Sequence, residues 1–205
     1  MPRKPPETGT PAVHLRRMYV DCRYGQLHLR SAFASNGGFD ELTTLVCLHP
    51  GPASSRVFEG FLRLMGNDRS VYAPDTPGFG ASDAPASQLG VADYAAAIGD
   101  ALDHLRLRKV DLLGYHDGSS IAAELAVARP EQVRRVVMIG TPRDLPRLTQ
   151  PVLVLRPKDE LSDVTPRALA ALPEAKIVDL AQHGRDLFDV APEVVAKHVR
   201  GFLDD

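Results

Sequence analysis

The sequence predicts an α/β fold: a doubly wound, mostly parallel sheet of about eight strands, opened by an antiparallel hairpin and covered by helices on both faces. Three observations lead there. The stretches Leu42 to Leu48, Val133 to Ile139 and Pro151 to Leu155 are largely apolar throughout, the pattern of strands buried on both faces. Segments of helical period lie between them, such as Tyr94, Ile98, Leu102 and Leu105. The stretch Val110 to Ala126 reads as a buried strand from Val110 to Leu113, a tight turn, and a helix rich in Ala, Ile and Leu.

In chain order, residues 1 to 12 are polar and Pro-rich and read as a mobile tail before one domain spanning 13 to 205. Arg17 to Cys22 and Gln26 to Phe33 alternate as strands and turn at Tyr24-Gly25, giving the hairpin. Asn36-Gly37-Gly38 is a loop before the Leu42 strand. Ser54 or Ser55 caps a helix with Val57, Phe58, Phe61, Leu62 and Met65 on one face. A short strand from Ser70 to Ala73 leads into a turn-rich loop, Asp75 to Asp83. The helix Val91 to Leu107 precedes the Val110 strand, and the helix after that ends before Pro130. A helix from Thr165 to Leu172, a last strand from Lys176 to Leu180 and a closing helix from Pro192 to Leu203 complete the alternation.

Composition narrows the functional classes. A chain of 205 residues, 44% hydrophobic and 24% charged, supports one sizeable core. A net charge of −2 offers no electrostatic case for nucleic acid or membrane surfaces. No apolar run is long enough to span a bilayer and no signal peptide follows Met1. Cys22 and Cys47 sit in strands and read as buried free thiols, which suits a reducing cytoplasm.

Chemistry concentrates at the turn after Val110. Gly114 and Gly118 flank His116 symmetrically, so His116 is expected at positive φ, with a backbone approach that tolerates only small residues two before and two after it. This frame resembles the G-x-S-x-G nucleophile elbow of the α/β-hydrolase superfamily, with His116 where that family carries Ser, Cys or Asp. The resemblance extends over nearly the whole chain after residue 15. Leu48-His-Pro-Gly-Pro-Ala-Ser-Ser is similar to the family's HGGPG-type turn. It implies an oxyanion hole made by the N–H of Gly51 and, at the helix N-terminus, the N–H of Asp117. Asp75-Thr-Pro-Gly-Phe-Gly-Ala-Ser-Asp-Ala-Pro resembles the D-x-P-G-F-G-x-S-D-x-P loop, where Asp75 and Asp83 brace the backbone rather than titrate in a reaction.

The same resemblance places the triad acid at Asp159, in Arg156-Pro-Lys-Asp, with Asp144 as the superfamily's other location. The segment Ala181 to Glu193 resembles G-H-x-x-x-x-E-x-P-E. Counting back from Pro192-Glu193 puts Arg185 at the position of the triad His, whereas His183 lies two residues earlier and reaches the site if the loop shifts. Arg185 cannot serve as a general base, but it can pair with Asp159 or hold a carboxylate. At a helix N-terminus a neutral His116 ring is favoured over the imidazolium. Asp117 becomes a nucleophile only with a one-residue slip, and Ser119 and Ser120 form a small packing surface. His49, His116, His183 and Asp159 lack close ligand spacing, so neither a metal nor another cofactor is expected. His14, His28, His104 and His198 fall on expected surfaces.

Gly140 to Gln150 is all that separates two neighbouring strands where the family usually inserts a cap domain. The cap is expected to be absent and the site open, unless a second subunit of a homodimer covers it. The resemblance therefore implies a hydrolase-like enzyme for a small ester, lactone or carbonyl substrate, with catalytic His116, Asp159 and His183 and with Gly51, Asp117 and Arg185 binding substrate. The alternative is an inactive relative that binds a small anion or a partner.

Overall fold

The computed structural model describes residues 13–34, 42–140, 148–158, 172, 174–184 and 186–205. The expected tail 1–12, the Asn36 loop, Asp144, Asp159 and Arg185 lie outside the described residues, as does nearly all of the helix expected over 165–172.

Among the described residues eight strands form one sheet: β1 Val13–Cys22, β2 Gly25–Ala34, β3 Thr44–Leu48, β4 Val71–Pro74, β5 Val110–Tyr115, β6 Val133–Ile139, β7 Val152–Pro157 and β8 Lys176–Leu180. Their spatial order is β1-β2-β4-β3-β5-β6-β7-β8. β2 runs antiparallel to both neighbours, and β4, β3, β5, β6, β7 and β8 pair in parallel. The described helices are α1 Glu59–Met65, entered through a 3₁₀ turn at Ser55–Phe58, α2 Val91–His104, α3 Asp117–Ala128, α4 Leu187–Val190 and α5 Pro192–Leu203.

The central strands β3, β5, β6 and β7 are largely apolar on both faces because the sheet has two cores. Along β3, Leu45 and Cys47 enter one core and Val46 and Leu48 the other. Along β6, Val137 and Ile139 divide from Val136 and Met138 in the same way. Phe58, Phe61, Leu62, Phe188, Val195 and Val199 close the first face; Ile98, Leu102, Ile121, Ala122 and Leu125 close the second. Each fully buried large apolar side chain contributes about 1.5–3 kcal/mol.

Helix α2 stops three residues before its expected end. Arg106 takes φ 56°, and Leu107 N–H returns to Leu102 O at 2.9 Å, a left-handed stop made without glycine. His28 is a correction: expected at the surface, it is 5% exposed. The loop after β4 packs on β2 through Asp75 and Ser82, and Tyr19 lies against the His28 ring, so the consecutive residues Leu27, His28 and Leu29 are all buried. Cys22 and Cys47 are free thiols, the former half-buried and the latter buried.

At the N-terminal end of β5, Asp111 is fully buried and takes a two-pronged contact from Arg134, Nε to Oδ1 at 2.9 Å and Nη2 to Oδ2 at 2.6 Å. Arg134 also donates to Leu203 O at 2.8 Å, tying the end of α5 to the central strand. Arg69, its side chain buried, bridges Asp68 and Asp204 beside it.

Candidate active site

The parallel strands converge on a turn built around His116. It stands between β5 and α3 with φ 49° and ψ −113°, a backbone state that L-residues rarely adopt. The flanking glycines show why it is held. A Cβ on Gly118 would lie 2.0 Å from Leu48 O, and one on Gly114 would lie 2.4 Å from Ser119 Cα. The turn is therefore pressed against the end of β3 and against its own helix. His116 N–H continues the β5–β6 ladder to Ile139 O at 2.7 Å, and Ser119 N–H donates to His116 O at 2.8 Å. The ring packs on Gly140, where a Cβ would come within 2.6 Å of Nδ1, and tilts against Tyr115 with centroids 4.5 Å apart. Ser119 is no nucleophile in waiting: it is buried and its hydroxyl donates to Gly114 O at 2.9 Å.

His116 forms part of the wall of a cavity of about 200 Å³, with Pro50, Gly51, Pro52, Tyr115 and Phe188 around it and Asp186 and Asp189 at one side. The cavity shares Pro52, Ala53, Val57 and Asp189 with a wider open depression that also reaches Ser54. Phe188 fixes α4 in place, edge-on to Tyr115 at 5.0 Å, to Phe58 at 4.8 Å and to Phe61 at 5.3 Å. No serine, threonine or cysteine is among the described residues lining the smaller cavity.

The Gly51 turn is built by its neighbours. His49 is 1% exposed. Its Nε2 accepts from Thr76 N–H at 3.0 Å, so the ring proton resides on Nδ1 and donates to Pro50 O at 3.0 Å. Burial pushes the His49 pKa down, which keeps this arrangement neutral. The Gly51 N–H is not free for a ligand: it donates to Asp117 Oδ2 at 3.2 Å. The residue expected to offer a backbone donor thus also brings a carboxylate to the same corner.

The loop beyond β4 is braced as its aspartates suggest. Asp75, 2% exposed, accepts from Ser55 N–H at 2.6 Å and Ala81 N–H at 2.9 Å, and contacts His28 Nδ1 at 2.9 Å. Burial pulls its pKa upward, but the hydrogen bonds from Ser55, Ala81 and His28 outweigh it, and the carboxyl lies below its ordinary value. Asp83 accepts from Gln26 N–H at 2.8 Å, and Ser82 Oγ accepts from His28 N–H at 2.9 Å, zipping the loop to β2.

The structure brings His116, Gly51 and Asp117 together. His183 does not line the cavity; its carbonyl accepts from Lys158 N–H at 2.8 Å, joining the loops after β7 and β8. Tyr115, Gly140, Phe188, Asp186 and Asp189 were not singled out from the sequence. The signal that could have found Phe188 is an apolar helical period, and the four-residue α4 is too short to show one. Among the described residues no group of His, Cys, Asp and Glu is arranged to hold a metal ion.

Residues 43–186 match the model of the alpha/beta hydrolase fold family. The chain is 35% identical over 96 residues to a 2-hydroxymuconate semialdehyde hydrolase of Pseudomonas putida, covering 45% of this chain and 31% of that protein. It therefore spans less than a third of the length of that relative. Among solved structures, E-2-(acetamidomethylene)succinate hydrolase superposes with a TM-score of 0.80 at 18% identity, covering 94% of this chain and all of the other. An esterase from Thermogutta terrifontis does so with a TM-score of 0.78 at 15% identity, covering 92% and 98%. At these identities the superpositions speak for the fold alone.

Proposed function

Because this chain belongs to the alpha/beta hydrolase fold family, we propose that it is a hydrolase-like enzyme for a small ester, lactone or related carbonyl compound, working through His116 without a covalent acyl-serine. The observation that carries this reading is an imidazole on the strained bend of the turn, in the wall of a small cavity with no serine, threonine or cysteine among its described lining residues. The named hydrolase among its relatives supports the reaction class.

In this reading the turn is the family's nucleophile elbow, and the neutral His116 ring takes a proton from substrate or water. The N–H groups of Gly51 and Asp117 receive the developing negative charge once the Asp117 carboxylate moves aside. Asp159 orients the site, with either His183 or Arg185 in the place of the triad base. The short link from Gly140 to Gln150 leaves the site without a cap, open or covered by a second copy, in a cytoplasmic setting. A second reading, a non-catalytic binding protein, is favoured by the Asp117 carboxylate at Gly51 N–H, the position an oxyanion would need.

A fluorophosphonate probe is expected to leave the protein unlabelled, because no activated serine is used; labelling would point to an ordinary serine hydrolase. On a panel of short esters and lactones, His116→Ala is expected to lose about a hundredfold or more of the wild-type rate. Equal rates in the two proteins remove His116 from catalysis. No turnover by the wild type moves the protein to the second reading.

A further inference from the structure

The corner beside His116 contains an anion supplied by the chain itself. Asp117 opens α3, where the positive end of the helix dipole favours a carboxylate. Its Oδ2 accepts the Gly51 N–H at 3.2 Å and would meet a Cβ at Gly51 at 3.3 Å. Gly51 lines the cavity, so the carboxylate occupies the backbone donor of one of its wall residues. A backbone N–H held by a carboxylate has no second hydrogen to give. A ligand that brings its own negative charge to this point meets a like charge as well as an occupied donor.

We propose that Asp117 is a specificity-determining residue: its carboxylate is the resident occupant of the Gly51 corner, and it turns the site away from ligands that carry a formal negative charge there and toward neutral ones. The inference rests on the His116 cavity being the ligand site. The contact is long and Asp117 is exposed, so the side chain can be displaced. A neutral carbonyl substrate can then displace it late, as charge develops on its oxygen, whereas a carboxylate ligand opposes it from the first encounter.

The test compares benzoate with its neutral isostere benzamide. Binding to the wild type, Asp117→Asn and Asp117→Ala is followed by the amide resonance of Gly51 in ¹H–¹⁵N spectra. Removing the charge is expected to tighten benzoate by about tenfold or more, to move the Gly51 amide on binding, and to change benzamide affinity by less than about twofold. Asp117→Asn retains an acceptor for the Gly51 N–H, so a larger gain in Asp117→Ala separates donor occupancy from charge. Thermal melts confirm that both variants fold. Equal benzoate affinity in all three proteins overturns the proposal, and so does benzoate binding that leaves the Gly51 amide unmoved or fails to occur in either variant. The readout is binding, so absence of turnover, which would sink the hydrolytic reading, leaves this result standing.

Discussion

At the scale of single residues, the site depends on three glycines and one strained histidine. Gly118 is the sharpest case, because a Cβ there would enter the carbonyl of Leu48, a backbone atom with no rotamer to yield. Gly118→Ala is expected to destabilise the fold by about 3 kcal/mol or more, visible as a lowered denaturant midpoint. A variant as stable as the wild type would mean that the close approach of α3 to β3 is not held. Gly140 belongs to the same set: with φ 73° and His116 Nδ1 where its side chain would be, it sets the position of the ring. The spacing of Gly114 and Gly118 announced the strained bend, since no other pattern is needed to infer it. Nothing in the sequence announced Gly140, which reaches His116 only because β5 and β6 are neighbours.

At the scale of elements, the loop between β4 and α2 is held by one buried carboxylate. Asp75 joins Ser55 at the 3₁₀ turn, Ala81 in its own loop and His28 on β2. Asp75→Ala leaves those donors buried without their partner and is expected to cost about 3 kcal/mol. The sign with pH follows from the lowered folded-state pKa. The stabilisation is present above the unfolded carboxyl's pKa and is lost as pH falls through the folded value. Chemical denaturation across acid pH checks this: the wild type should lose stability on acidification more steeply than Asp75→Asn, and parallel curves would refute it. The D-x-P-G-F-G-x-S-D motif made Asp75 legible as a brace. Its partner His28 was not legible, because alternation along β2 suggested an exposed face that the loop after β4 in fact covers.

At the scale of the whole molecule, the N-terminal end of the sheet is locked to the end of α5 through charge. Burial pushes the Asp111 carboxyl up, and Arg134 opposes that rise while holding Leu203 O. Arg134→Ala strands the buried carboxylate and is expected to cost about 3 kcal/mol. Without the guanidinium the Asp111 pKa rises further. Since a raised acid pKa means that the folded state holds its proton more tightly, the variant's deficit relative to wild type should grow as pH rises from the wild type's folded-state value to the variant's higher one. Thermal melts across that range test it, and a deficit that does not grow with pH would show that Asp111 finds another partner. The continuous apolar strands and the helical periods between them made the two-cored sheet readable in advance, because burial on both faces leaves a direct mark on composition.

By itself, the sequence determined the α/β architecture, the strained turn at His116 and the bracing loop after β4, since each rests on local periodicity or on glycine and proline at set spacing. Only the tertiary structure decided that the Asp117 carboxylate takes the Gly51 N–H and that Phe188 and the aspartates of α4's region stand beside His116. Those contacts join residues from 66 positions apart, as for Gly51 and Asp117, to separate ends of the chain. They depend on the order in which strands pair, and a periodic pattern records which face is buried but not which neighbour covers it.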